Sequence, residues 1–404
     1  MKPAHHSSGS VLGGMLLVAG SCIGAGMLAL PILTGLSGFL PSLSMLLLSC
    51  IFMTFTGLLL VEINGWFSKE VNLISMASES LGSLGKWTAW SSYVFLFYSI
   101  LVAYIAASGS IFSAILESLF HLSLPAWTAS LFFTFIFGWI IYLGTRPVDL
   151  LNRLLMIGLI LTYLGMIGFG LTRIQPSLLL HWAPSYLFTS LPVLVISFGF
   201  QNMIPSLSSY MKGDVKRVRF TILGGIALTL LIYIIWSLLI LGVVPFEGSG
   251  GILESYKAGL EATVPLSAAL GKSSITYFAQ GFAFFAIVTS FLAQGLTLAH
   301  FLADGLKISP TQKSMRKLVP AALAPPLILA LTYPHIFFKA LNFAGGIFAM
   351  VLFGLLPTLM AWIGRYKKHL TSTYRVAGGK PALILGFAFS LFVIICEVFR
   401  LCLN

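Results

Sequence analysis

Charge is what this sequence has least of. Asp, Glu, Lys and Arg supply 8% of its 404 residues, against about 25% in a water-soluble domain, while 58% are hydrophobic and the mean hydropathy is +0.99. A soluble fold of this length is excluded, because it would lack the polar surface to face water. Cysteine is also scarce. Cys22, Cys50, Cys396 and Cys402 sit in long apolar runs and match no disulfide framework or metal spacing, so packing is their expected role. The G-x-x-x-x-G-K-[ST] loop is missing, which argues against ATP hydrolysis within this chain. There is no H-E-x-x-H or G-x-S-x-G pattern, and His121, His181, His300 and His335 are far apart, which disfavours a membrane-embedded enzyme. A repeated acidic or carbonyl-rich filter, as in an ion channel, is not visible either. Neither a cofactor nor a metal is expected.

What is abundant is continuous apolar sequence. Runs such as Leu43 to Ile63 are long enough to cross the hydrocarbon core as helices and show none of the alternation of a β-barrel. Eleven spans are expected, near residues 10–36, 40–66, 88–117, 125–144, 150–172, 186–210, 219–244, 275–303, 318–332, 337–363 and 382–402, in one all-α transmembrane domain covering 1–404. The first apolar stretch has no clean cleavage site and reads as a span, not as a removed signal peptide. The net charge of +12 would suit nucleic acid if it formed one soluble patch, but the basic residues lie between spans. With the N-terminus in the cytoplasm, eighteen of the twenty-three Lys and Arg residues fall on the cytoplasmic side, as membrane topology favours. Two longer connections stand out. Residues 67–86 read as a solvated linker or an inner interfacial helix, and residues 246–272 as a linker or an outer gate.

Two spans carry matching interruptions. Span one holds Gly20-Ser21-Cys22-Ile23-Gly24-Ala25-Gly26 and then Pro31, and span six holds Ser197-Phe198-Gly199-Phe200-Gln201-Asn202 and then Pro205. Each glycine weakens a helix by about 1 kcal/mol relative to Ala. Glycine also allows close helix packing, so either run alone would be ambiguous. Paired interruptions five spans apart point instead to an inverted repeat, about 10–172 and 186–363, with 382–402 as an extra helix. Unwinding at mid-membrane frees amides on one half-helix and carbonyls on the other, with dipole ends of about half a charge of each sign. A zwitterion suits that arrangement. Its carboxylate is expected against the amides of Gly24, Ala25 and Gly26, and its ammonium against carbonyls near Ser21 and Ser197.

The run from Gly20 to Pro31 resembles the first span of the hydroxy and aromatic amino acid permeases, a bacterial family of the amino acid/polyamine/organocation superfamily. Ala107-Ser108-Gly109-Ser110, Ser197 to Phe200 with Ile204-Pro205-Ser206-Leu207, Ser290-Phe291-Leu292, Ala324-Pro325-Pro326 and Gly378-Gly379-Lys380-Pro381 extend the likeness over nearly the whole chain. It is most similar to the tyrosine and tryptophan branch. The resemblance implies a LeuT-type five-plus-five fold with discontinuous helices one and six. It also implies inward, proton-coupled transport of an aromatic amino acid across the bacterial inner membrane by a multi-pass protein, expected as a monomer and without nucleic-acid partners.

By the same resemblance, Gly24, Ala25 and Gly26 match the unwound segment of span one, and Ser197, Phe198 and Gly199 its counterpart in span six. Phe198 and Phe200 are candidates for an aromatic wall, with lipid contact as the alternative. Gln201 and Asn202 are polar partners for a phenol or indole, although Asn202 could instead cap the second half-helix. Tyr104, which matches a family tyrosine, and Ser108 share one face of span three. In span eight, Thr289 and Ser290 correspond to hydroxyls that hold a cation in sodium-coupled relatives, which leaves sodium as the alternative ion. Gln294 departs from the smaller apolar residue expected of tryptophan permeases and leaves tyrosine against tryptophan open. Glu62 is the first candidate for the coupled proton, followed by His300 and Asp304, while Glu62 near its helix end could instead snorkel or cap. Glu117 and Glu397 read as interfacial.

Overall fold

The computed structural model describes residues 9–403, apart from 68–70, 122–123, 272, 310 and 334. Every regular element among the described residues is helical. Among the described residues, ten helices or helix sets are long and apolar enough to cross a membrane, and the bent pair at the N-terminus makes eleven. Span one is α1 (Val11–Cys22) and α2 (Ala25–Gly35), bent by 61° at the break between them. Span two is α3 (Phe39–Asn64).

Span three differs from the expectation. Helix α4 (Leu73–Phe120) begins within the supposed connection 67–86, and Gly82, at φ 75°, turns it. The first part, starting from an Asn72 cap on the Ser75 amide, is therefore a short helix joined directly to the span. That left-handed φ is accessible to glycine without a Cβ clash, which is why the chain can turn there without leaving helical hydrogen bonding for long.

Spans four and five are α5 (Ala126–Leu143) and α6 (Thr145–Gly170), joined through Gly144 alone at φ 102°. Leu150, Leu154, Ile157, Leu161 and Leu164 are all exposed and recur at helical spacing along α6. In a transmembrane chain such a stripe is the lipid face. Span six comprises α7 (Leu191–Ser197) and α8 (Ile204–Tyr210), with residues 198–203 between them. Span seven is α9 (Val215–Val243), started by an Asp214 cap on the Arg217 amide.

The second long connection folds into α10 (Ile252–Ala258) and α11 (Thr263–Leu270), with Ile252, Ala262 and Leu266 fully buried. Spans eight and nine are α12 (Ser274–Gly305) and α13 (Gln312–Thr332). Span ten is composite. It runs from α14 (Phe337–Phe343) through two π-helical turns, Ala344–Ala349 and Val351–Leu355, into α15 (Leu356–Tyr366). Helix α16 (Gly379–Leu403) is span eleven.

Candidate functional site

The two breaks face each other. At the first, Ile23 and Gly24 are extended, and the next helix starts again with the Met27 amide donating to the Gly24 carbonyl at 2.9 Å. The amides preceding Met27 open α2 and have no acceptor within it, as at any helix start. Gly24 is needed for close approach, not for an unusual φ. A Cβ there would lie 2.7 Å from the Ser290 hydroxyl oxygen and 3.9 Å from that of Tyr104. A Cβ on Gly26 would lie 2.8 Å from the Ser197 hydroxyl oxygen. Spans three, six and eight thus converge on the span-one break, and spans six and eight come so near that only glycine fits.

A cavity of about 510 Å³ opens from this junction toward the N-terminal end of α1. Its size falls within the range of small-molecule sites, about 300–1,000 Å³. Of the residues expected around the substrate, Ser21, Gly24, Gly26, Tyr104, Ser197, Gly199, Asn202 and Gln294 line it, together with Thr289 and Ser290 of the expected ion site. On the opposite side every residue from Met27 to Leu36 is buried, and none of them lines the cavity. One end of the path is sealed while the other is open.

Several expected residues are placed elsewhere. Ser108 is buried and donates to the Ile105 carbonyl at 2.8 Å. Phe198 is turned from the cavity, edge-on to Tyr233 at 5.2 Å between ring centres, and Phe200 packs against Gly57 of span two. Gln201 is 1% exposed and donates to the Met53 carbonyl (3.2 Å) and the Thr56 hydroxyl (3.3 Å), tying the second break to span two. The physical reason is geometric: consecutive residues at a break point in different directions, so Ser197, Gly199 and Asn202 take the cavity side and their neighbours take the protein side. Ala25 opens α2, and its side chain lies outside the described structure.

Glu62 and His300 do not line the cavity. Glu62 is held in a buried two-point ion pair with Arg365 of span ten, at 2.7 and 2.5 Å, and also accepts from the Val376 amide at 2.7 Å. This joins span two, span ten and the segment before span eleven near their ends.

Three features were not anticipated. Tyr233 on α9 places its hydroxyl 2.7 Å from both the Cys22 and the Ser197 carbonyls, the last residues of α1 and α7. A phenol has one proton, so it serves the two half-helix ends as a shared donor. Trp236, one turn further, donates to the Met27 carbonyl at 2.8 Å. Pro31, four residues on from Met27, has no amide to offer that carbonyl, so the indole fills the vacancy that proline leaves. The sequence signal was two hydrogen-bonding aromatics three residues apart in the apolar run Ile232-Tyr233-Ile234-Ile235-Trp236. The third feature is an apolar, aromatic wall of the cavity made by Tyr93 and Phe97 of span three, stacked at 5.7 Å, with Phe353 from a π-helical turn of span ten.

Tyrosine-specific transport system 1 of Haemophilus influenzae is 34% identical over 378 residues, covering 93% of this chain and 93% of that protein. A tryptophan-specific transport protein of Pseudomonas aeruginosa is 30% identical over 388 residues, covering 94% of this chain and 92% of its own length. Among solved structures, MhsT in complex with L-phenylalanine superposes with a TM-score of 0.64 at 13% identity, covering 96% of this chain and 98% of that one, and shows the LeuT-type fold. The profile of the tryptophan/tyrosine permease family matches residues 7–397. With both broken helices meeting at one cavity and the similarity running almost end to end, the chain belongs to the tryptophan/tyrosine permease family and is a transporter rather than an enzyme.

Proposed function

We propose that this protein imports an aromatic amino acid, tyrosine first and tryptophan as the alternative, by proton symport with alternating access. The observation that carries this reading is the cavity where both helix breaks meet, sealed toward α2 and open toward the start of α1. The opening amides of α2 suit a carboxylate, and the carbonyl ends of α1 and α7 suit an ammonium. An aromatic ring then reaches the wall of Tyr93, Phe97 and Phe353, where edge or offset contacts add about 0.5–1.5 kcal/mol beyond burial. Asn202 and Gln294 offer the polar contact that a phenol or indole needs once it leaves water. The names of the relatives above support this substrate class.

In this reading the N-terminus is cytoplasmic, the membrane is the bacterial inner membrane, the protein works as a monomer, and residues 10–172 and 186–363 are the two inverted halves. The open cavity is then the inward-facing state. Sodium is the second reading, favoured by one observation: the Ser290 hydroxyl stands over Gly24 and Thr289 beside it also lines the cavity, two hydroxyl oxygens of the kind a hard cation takes. Glu62 remains a proton candidate through its pair with Arg365, because protonating it would loosen span ten from span two. Radiolabelled tyrosine uptake into proteoliposomes, with each of the twenty amino acids as competitor and with or without sodium, tests all of this. Competition confined to aromatic amino acids, with accumulation driven by an acid exterior in sodium-free buffer, is expected. Uptake that requires sodium replaces the proton with the second reading, and competition by small aliphatic amino acids removes the aromatic assignment.

A further inference from the structure

The connection between spans seven and eight is a folded plug with a carboxylate at its hinge. Glu261 lies between α10 and α11 and is 1% exposed. Its side chain accepts from the Thr263 amide at 2.7 Å and from the Thr263 hydroxyl at 2.5 Å. The next residue, Ala262, donates its amide to the Leu28 carbonyl of α2 at 3.0 Å, so the hinge is bonded to the half of span one that seals the path. His335 fastens the same plug from the other side, its Nδ1 lying 2.7 Å from the Ala258 carbonyl.

No cation offsets the buried carboxyl among the described residues. Helices α2 and α11 carry no titratable side chain; α9 carries Lys216, Arg217, Arg219 and Tyr233, α12 carries Tyr277, His300 and Asp304, Tyr333, His335 and Lys339 flank the start of span ten, and His181 stacks on Phe246 of the connection. On the connection itself are Glu247, Glu254, Tyr256 and Lys257, and Lys272 lies outside the described residues. The groups that act on Glu261 are the Thr263 hydroxyl and amide and the Val264 amide. Burial outweighs them and raises the carboxyl from 4.5 to about 7.

We propose that Glu261 is a proton-binding site of the outer gate: closing the plug over α2 takes up a proton from the outer solution, and opening returns it. The inference rests on the alternating-access reading above and adds a second, separate use of protons, since Glu261 does not line the transport cavity. When the plug lifts, the carboxyl meets water and regains its ordinary acidity, so the open form is the deprotonated one. The sign follows from linkage. Acid favours the closed gate, and the closed-to-open ratio falls by about tenfold per pH unit from about 4.5 to about 7, then levels off.

The test uses the full-length protein in lipid nanodiscs, with its four cysteines replaced and spin labels on Lys257→Cys and Trp127→Cys, both exposed positions. Distances are measured by electron double resonance from pH 5 to pH 8, without substrate or gradient, so the result stands or falls independently of the coupling ion. The expected result is a short-distance population that shrinks as pH rises to 7 and then stays constant. Glu261→Gln, which keeps an acceptor and a donor but cannot ionise, should show one distribution at every pH. Thr263→Val removes a donor to the ionised carboxylate and should move the transition upward in pH, which keeps the proposal testable if the Gln variant does not fold. A pH-independent distribution in the unsubstituted gate, a transition that persists in Glu261→Gln, or an unmoved midpoint in Thr263→Val would each overturn it.

Discussion

The breaks in spans one and six use the same local device for different ends. The first leaves its backbone bare: Gly24 and Gly26 have no side chains, and hydroxyls of Ser290, Tyr104 and Ser197 crowd the space that a Cβ would fill. The second keeps large side chains but turns most of them inward, with Phe198 against Tyr233, Phe200 against Gly57 and Gln201 bonded to span two. One break presents bare backbone to the cavity, while the other holds most of its large side chains in the protein. Backbone exposure and anchoring are therefore separable by mutation, and the substitutions below are chosen to separate them.

Gly26→Val should have the largest effect. Its branched side chain would displace Ser197 and cover the opening amides of α2, so uptake is expected to vanish while membrane insertion persists; uptake at the unsubstituted rate would refute the carboxylate assignment. Glu62→Gln comes next, because it leaves Arg365 buried without its charge partner, a loss of about 3–5 kcal/mol that a thermal melt would register. If Glu62 also carries the coupled proton, this variant retains counterflow exchange and loses accumulation driven by a pH gradient.

Tyr233→Phe strips the shared donor from two half-helix ends. Each buried carbonyl left unpaired costs about 1–3 kcal/mol, so tyrosine affinity should fall roughly tenfold or more in a binding titration, with little change in substrate ranking. Gln201→Leu and Asn202→Ala form the sharpest contrast at the smaller end. The buried Gln201 should affect stability by about 1–2 kcal/mol and leave the ranking of competitors alone. The cavity-facing Asn202 should do the reverse and alter the ranking of tyrosine, tryptophan and phenylalanine in competition uptake by a few-fold. Identical behaviour of the two neighbours would erase the distinction between anchored and cavity-facing residues within the second break.

Much of this organisation can be read from local sequence, because membrane helices need long apolar runs and breaks need glycine and proline. The eleven spans and both interruptions follow from those two requirements, whereas the helices α10 and α11 within 246–272, read as a linker or outer gate, do not. Side-chain direction at a break does not. Ser197 and Phe198 are adjacent in the chain, yet one faces the cavity and the other does not, and no periodicity governs residues 198–203 once the helix is left. Long-range partners are equally hidden. Glu62 and Arg365 are 303 positions apart, and the general cost of an intramembrane charge says that a partner exists without saying which residue it is. The turn at Gly82 was missed because a helix that bends and continues leaves the same hydrophobic pattern as two helices joined by a linker.

Span eleven, which lies outside the paired halves, is seated on the irregular part of span ten. Gly346 and Gly354 sit in the two π-helical turns against Glu397 and Ser390 of the last helix, and Gly386 of that helix receives Phe55 and Thr358. Notches of this kind lock helices at short range in lipid. A π turn holds one residue more than the α ladder requires, which widens the helix locally. The last helix is thus seated against the same irregular turns that present the Phe353 ring to the cavity, so the packing of α16 and the placement of that ring depend on one stretch of backbone.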